Sequence, residues 1–484
     1  MWRTLQGKYP VDKDYAPRVA RLAALQRVLN GTLYDVLKHA AHDETDGSGQ
    51  YIKLRDRRPG VRYNLCRMAV RKSVGMVFSE GHFPAITHDD EGTQDALRQI
   101  VADAAINLSM IDAATRGSIG SIALWLRVLS GRVYVDVLDT LFLHPEYNPE
   151  RPDELLSITE RRKLKGSELR AMGYSIAKDD SDASHWWQRK WTEDAEQWFE
   201  PQKIDGKQEL QVPKVDKRRT IQHDLGFVPM VWIRNLPGGT GIDGAPTFDD
   251  EAIETQIEIE YQLSQGARAL RYAGDPLLLI KEPATDAGGS FVRSASNAMI
   301  VGKDGDAKLV EIDGAASEAV INFVKYLADL TREQLHTPAL NPDKLSAAQS
   351  GRALELLMGP LIEVADQLRI TYGTEGLRRV LQMIVRVGSQ SQLLARDGTP
   401  YQIKDGLVNL KWAPWFVPTP QDLQTIAGTL RIHTDAGHLS QKAAIELTAP
   451  LYDIADPAAE LLQIKADEAA RAAQAPLIQE KINA

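Results

Sequence analysis

Residues 315–336 read AASEAVINFVKYLADLTREQLH, and the spacing of apolar and polar positions in this stretch decides the architecture. At 3.6 residues per turn, Glu318, Asn322, Lys325, Asp329 and Arg332 fall on one face of a helix. Val320, Phe323, Val324, Leu327 and Leu330 fall on the opposite face. One side calls for packing and the other for water.

Working outward, a second helix is expected from about Asp249 to Tyr272, and residues 275–313 between the two carry strand-like sequence. Two helices therefore bracket a small β module. Glu251, Glu254 and Glu258 place negative charge along the first helix. On the other side, residues 337–348 contain Pro338 and Pro342 and read as a loop. Gln349 to about Val387 then reads as one very long helix, kinked at Gly359-Pro360. Such a length is unusual for a compact enzyme core. Strands are expected at Tyr401–Lys404 and Val408–Trp412. Thr419-Pro420-Gln421-Asp422 combines a capping side chain, a first-turn proline and an acidic residue, the signature of a helix start. Asp456-Pro457 repeats it, and the helical character fades after Ala475 into a tail.

Towards the N-terminus, Val19, Leu22, Leu25, Leu29 and Leu33 recur at helical spacing between Tyr15 and His39, and Asp43–Gly49 breaks the pattern. Further helices are expected over Tyr63–Phe78 and Thr93–Ala114. After Gly117 the sequence alternates, giving strands at Ile122–Leu126 and Arg132–Leu138 joined by the turn Ser130-Gly131. Leu156–Arg161, Trp187–Thr192, Gln197–Glu200 and Val228–Arg234 add more strands. Together these make an α+β region, which the Gly-rich tract Pro237–Pro246 closes as a hinge.

The chain has 484 residues, with 43% hydrophobic and 25% charged, so it is a large globular protein able to bury a core. That length suggests about two to four domains. Lys and Arg total 57 against 66 Asp and Glu, a formal charge of -9. This argues against gripping nucleic acid by neutralising phosphates, although a duplex can still slide past a repulsive wall. A single cysteine, Cys66, excludes an intrachain disulfide framework and a multi-cysteine zinc site. No apolar signal core follows Met1-Trp2-Arg3, and no apolar run approaches the about 20 residues of a membrane span.

The sequence carries few motifs that point to chemistry. Gly239-Thr-Gly-Ile-Asp-Gly244 matches the dinucleotide fingerprint by letter, but Pro246 and further loop separate it from any helix, and no βαβ unit surrounds it. His39 and His42, with Asp43 and Glu44 adjacent, share a helix face on this reading; charge at a helix C-terminus explains them better than a metal. No phosphate-binding loop, serine elbow or zinc-binding His-Glu-x-x-His occurs. Carboxylate pairs such as Asp249-Asp250 read as solvated or helix-start charges, and Cys66 as buried filler. Trp186, Trp187, Trp191 and Trp198 read as core rather than a stacking platform for bases, since no positive charge is seen to interleave with them. No catalytic residue, metal site or cofactor is assigned.

Four segments, in order, resemble the portal proteins of tailed bacteriophages. Asn64–Pro84, NLCRMAVRKSVGMVFSEGHFP, is similar to the family's early helix and its aromatic and proline ending. Gly226–Asn235, GFVPMVWIRN, resembles the strand that precedes the stem. Ser350-Gly-Arg-Ala-Leu354 resembles the opening of the long helix after the tunnel loop, and Ala436-Gly-His-Leu-Ser440 a C-terminal turn.

The resemblance implies a multi-domain α+β portal fold that forms rings. Residues 1–246 and 349–418 would be the wing, 247–274 and 314–336 the stem helices, 275–313 the clip and 337–348 the tunnel loop. Residues 419–475 would be the crown, with a mobile tail over 476–484. It further implies a non-enzymatic ring of about twelve subunits at one capsid vertex, assembled in the host cytoplasm and retained in the virion. Double-stranded DNA would pass through it in packaging and ejection. Its partners would be the terminase, head-completion and adaptor proteins, and the major capsid and scaffolding proteins, with no membrane involved. The polar face of 315–336 would then line the channel and the apolar face pack. Asn341, Asp343 and Lys344 of the tunnel loop would approach the DNA, Lys344 touching phosphates or else pairing with a neighbouring subunit's carboxylate. Two other readings stand beside this one: a capsid-associated ring adaptor with no DNA in its bore, and a DNA-modifying enzyme. ATP hydrolysis would favour the enzyme, and a ring without a central opening the adaptor.

Overall fold

The computed structural model describes residues 2, 15–36, 39–53, 56–204, 212–273, 277–283, 301–310, 315–338, 355–415, 420–449, 454, 457–467 and 469. The chain divides into two compact units, residues 1–339 with 360–413, and residues 340–359 with 414–484.

In the first unit, α1 (Pro17–Asn30) starts on a proline and stops at Gly31, whose φ of 70° sends the chain out of the helix. The helix expected to reach His39 therefore ends nine residues early, and Leu33–Val36 is only a 3-10 turn. His39 lies in a bend and His42 in a turn, so they share no helix face. α2 (Leu65–Phe78) is capped by Asn64, which accepts from the Arg67 amide at 2.8 Å. After the short β1 (Ala85–Thr87), α3 (Glu91–Asp103) is capped by Asp90, and α4 (Ile106–Gly117) follows. These replace the single helix expected over Thr93–Ala114. The break falls at Ala105, held at φ 51°, a position that no glycine or proline marks.

β2 (Ser121–Leu129) and β3 (Arg132–Asp139) form a hairpin with Ser130 and Gly131 both at positive φ, as a tight turn between twisted strands requires. Next come β4 (Leu143–Tyr147), β5 (Leu155–Lys165), the short α5 (Gly166–Ala171), β6 (Ser184–Trp191), β7 (Ala195–Trp198), β8 (Gln202–Lys203), β9 (Ile221–Gln222) and β10 (Met230–Arg234). They build two antiparallel sheets, of order β10-β2-β3 and β4-β5-β6-β7-β9, with β8 on β6. Ala123, Leu143, Ile158, Trp191, Val228, Met230 and Trp232 pack together as their common core.

The tract expected to be a hinge is a hairpin, β11 (Leu236–Thr240) with β12 (Asp243–Ala245). A Cβ on Gly244 would lie 2.6 Å from the Asn235 nitrogen, so glycine is needed for close approach of two backbones, not for flexibility. Asp243 is buried and locks the hairpin: Arg18 donates to it at 2.6 and 2.7 Å and Ser121 at 2.5 Å.

α6 (Asp250–Ala273) and α7 (Ala315–Gln334) pack side by side, with Gly266 against Val320. Between them in the chain, β13 (Leu277–Pro283) pairs antiparallel with β14 (Val301–Val310). The long helix is interrupted at Met358 and then continues through α8 (Gly359–Leu368), a π-helical stretch Arg369–Leu377 and α9 (Arg378–Gln390). The π stretch was not expected. It presses Gly373 onto Trp412 and Gly376 onto Ile233, positions where a Cβ would come within 2.4 and 2.7 Å. Tyr401–Lys404 is not a strand; β15 (Asn409–Lys411) pairs with β1. The second unit contains α10 (Pro420–Asp435) and α11 (Gln441–Thr448), with further helix from Pro457.

Candidate functional site

The helix pair α6–α7 carries the residues singled out from sequence. α7 has three faces rather than two. Val324, Ala328, Thr331 and Leu335 are buried against their own chain, with Val320 and Leu327 half-buried beside them. Glu318, Asn322, Lys325 and Asp329 are exposed on the polar face. Phe323, expected to pack, is 47% exposed and Leu330 is 38% exposed. With Tyr326, at 61%, they form a third, apolar face at i, i+3 and i+7. The sequence showed that these side chains are apolar. It could not show that the chain's own core occupies only part of that arc.

Arg332 departs from the expected water-facing role. Its guanidinium donates to Asp329 at 2.7 Å and to the Tyr63 hydroxyl at 2.9 Å, so it is half-buried and ties α7 to the residues before α2. On α6, Glu251, Glu254 and Glu258 are exposed along one stripe. Gln256, Glu260 and Ser264 form a buried polar stripe on the same helix, which the sequence reading missed. Asn341, Asp343 and Lys344 lie outside the described residues.

The tryptophan cluster does have positive charge within it, contrary to the sequence reading. Arg189 lies two residues from both Trp187 and Trp191 on β6, hence on the same sheet face. Its guanidinium carbon sits 4.2 Å from the Trp191 ring centroid, 5.0 Å from Trp198, 5.2 Å from Trp125 and 5.6 Å from Trp187. Glu160 and Glu196 accept from it at 2.8 and 3.2 Å. The arginine is thus desolvated, paired and caged, which is a core arrangement and leaves no open ring for a base.

Nothing else among the described residues assembles a reaction centre. The Gly239–Gly244 string lies in the β11–β12 hairpin and opens no helix. Cys66 is buried, and burial pushes its thiol above the ordinary range, away from nucleophilic use. Among the described residues no group of three or more His, Cys, Asp or Glu could hold a metal ion, and no helix is long and apolar enough to cross a membrane.

Compared with known proteins, residues 10–474 match the family model described as phage portal protein, SPP1 Gp6-like. A comparison with curated proteins gave no match.

Proposed function

Because the chain belongs to the SPP1 Gp6-like phage portal family, we propose that it forms a ring of about twelve copies at one capsid vertex. Double-stranded DNA enters and leaves through the bore. α6 and α7 are the stem, β13–β14 belong to the clip, and the first unit otherwise forms the wing. The protein acts as a structural channel and docking platform, for the terminase during packaging and for head-completion proteins afterwards. The exposed polar residues Glu318, Asn322, Lys325 and Asp329 face the channel in this reading.

The observation that carries the proposal beyond family membership is the third face of α7. A helix of one isolated chain has no use for Phe323, Tyr326 and Leu330 in water, where they cost solubility. In a closed ring each subunit has two neighbours, and a helix needs one face for its own chain, one for a neighbour and one for the bore. α7 has three faces of those kinds.

Electron microscopy of the purified protein, with its native mass measured in parallel, tests this. A ring of about a dozen subunits with a duplex-wide opening supports the portal reading. A ring with a closed centre points to an adaptor, and a monomer that hydrolyses ATP to an enzyme.

A further inference from the structure

The buried polar stripe of α6 does one specific thing. Gln256, Glu260 and Ser264, spaced i, i+4 and i+8, are 3%, 1% and 5% exposed. Each accepts a backbone N–H from one short segment of the same chain, residues 61–66: Cys66 to Gln256 Oε1 at 3.0 Å, Tyr63 to Glu260 Oε1 at 2.8 Å, and Val61 to Ser264 Oγ at 2.8 Å. The spacing is matched. Four helical residues rise about 6 Å, and two residues of extended chain advance about 6.6 Å, so the step from Ser264 to Glu260 matches that from Val61 to Tyr63, while Gln256 meets Cys66 three residues on, where the chain has entered α2. Cys66 is in the first turn of α2, where amides lack a helical partner, and Val61 and Tyr63 precede the helix. The stripe therefore supplies acceptors to three amides that have no helical partner, the Cys66 amide fully buried and the other two partly so.

Glu260 is the centre of this ladder. Its second oxygen accepts from the Tyr34 hydroxyl at 2.5 Å, bringing in the 3-10 turn after α1. Gln265 donates to the Ala41 carbonyl at 3.0 Å, Arg268 pairs with Glu44, and Arg332 of α7 reaches Tyr63. No cation forms an ion pair with Glu260 among the described residues; the nearby Arg62 pairs with Asp35 at 3.6 Å. Burial pushes the Glu260 carboxyl above its ordinary range, while Tyr34, the Tyr63 amide and Arg62 pull against that shift. A buried acid without an ion-pair partner is costly to keep. Here the carboxylate offers what a neutral side chain of this size does not, two acceptor oxygens to two elements at once.

We propose that Glu260 is a coupling residue that bolts the stem helix α6 to the wing at α2 and the Leu33–Val36 turn, so that the two move as one body. Displacement of the stem is then delivered to the wing helices instead of being absorbed at the joint. The mechanical use rests on the portal reading, whereas the coupling itself does not.

Hydrogen exchange of the full chain, read by mass spectrometry, tests the coupling in whatever oligomeric state the protein adopts. Glu260→Ala is expected to speed exchange in peptides covering 61–66 and 33–36 by about tenfold or more, with the β2–β3 hairpin unchanged. Glu260→Gln, which keeps an acceptor for Tyr63, is expected to restore most of the protection of 61–66 but less of that at 33–36. If Glu260→Ala does not fold, Tyr34→Phe removes one bond of the ladder and is expected to give a smaller rise in the same peptides. Unchanged exchange at 61–66, or a rise spread evenly over the chain including β2–β3, overturns the proposal. Loss of ring assembly with these exchange patterns intact would count against the portal reading alone.

Discussion

Replacing Phe323 and Tyr326 together by Ala separates assembly from folding. Burying a large apolar side chain is worth about 1.5–3 kcal/mol relative to leaving it exposed. Phe323 and Tyr326 still expose 47% and 61% of their surface in the single chain. A neighbour that covers the remainder therefore gains roughly 1–1.5 kcal/mol from each, or about 2–3 kcal/mol per subunit contact. That is about a hundredfold in each association step. The same double substitution touches little of the chain's own core, so its melting temperature should hardly move. Val324→Ala is the converse: its side chain is 8% exposed, and losing two buried methyl-sized groups costs the fold about 1.6 kcal/mol. Native mass spectrometry across a concentration series, with thermal melts of the same samples, reads both effects. The expected result is a shift from ring to monomer at constant melting temperature for the double variant. A ring mass unchanged at all concentrations, or a melting temperature that falls as far as for Val324→Ala, would refute the assignment of this face to a neighbouring subunit.

Arg189→Met leaves Glu196 without its cation, and Glu160 with only the more distant Arg162 at 3.5 Å, in a site where Arg189 and both carboxylates are largely buried, and should cost about 3–5 kcal/mol in urea unfolding followed by tryptophan fluorescence. Gly117→Ala puts a Cβ 2.3 Å from the Tyr372 hydroxyl, which donates to Asn235 at 3.0 Å. Breaking that buried bond should destabilise the protein by about 1–3 kcal/mol in the same assay, and Tyr372→Phe in the Gly117→Ala background should recover part of the loss. Asp90 is held down to about 2 from 3.8 by Lys404 and by both the amide and the hydroxyl of Thr93. A depressed acid stabilises the folded state above its ordinary value, so this contribution should fade as pH falls from about 4 towards 2. An acid titration of Asp90→Ala by circular dichroism should lack that limb.

Much of this architecture was legible because periodicity is local. α2, the β2–β3 hairpin, the α6 and α7 helices around a two-stranded insert, and the start of α10 at Pro420 all lie where spacing and capping residues place them. The failures share a physical cause, which is that the deciding contact is distant in sequence. Ala105 breaks a helix with no local breaker. Gly239 and Gly244 look like hinge residues until the backbone that each must approach is known. The π stretch depends on Trp412 and Ile233, neither of which is a sequence neighbour. Arg189 was the exception, since its i±2 spacing to two tryptophans was visible in the string and pointed to one shared sheet face. The division of the α7 apolar arc into two faces could not be read, because it depends on how wide a stripe α2 and α6 cover.

The electrostatics of the helix pair bear on how a channel of this kind would treat DNA. Acidic residues exceed basic ones on the described parts of α6 and α7. Two of the basic residues there are already engaged, Arg268 with Glu44 and Arg332 with Asp329 and Tyr63. Lys325 stands exposed, and so do Glu251, Glu254 and Glu258. Gripping a duplex works by replacing condensed counterions with Lys and Arg, so each engaged arginine is one fewer phosphate contact. In the proposed ring the stem wall would therefore repel the duplex weakly over a distance of about one Debye length, roughly 8 Å in physiological salt. A repulsive wall keeps a moving polyanion centred and gives it no deep minimum in which to stop. The same carboxylates that argue against a DNA-binding protein in the overall charge are thus compatible with one through which DNA passes.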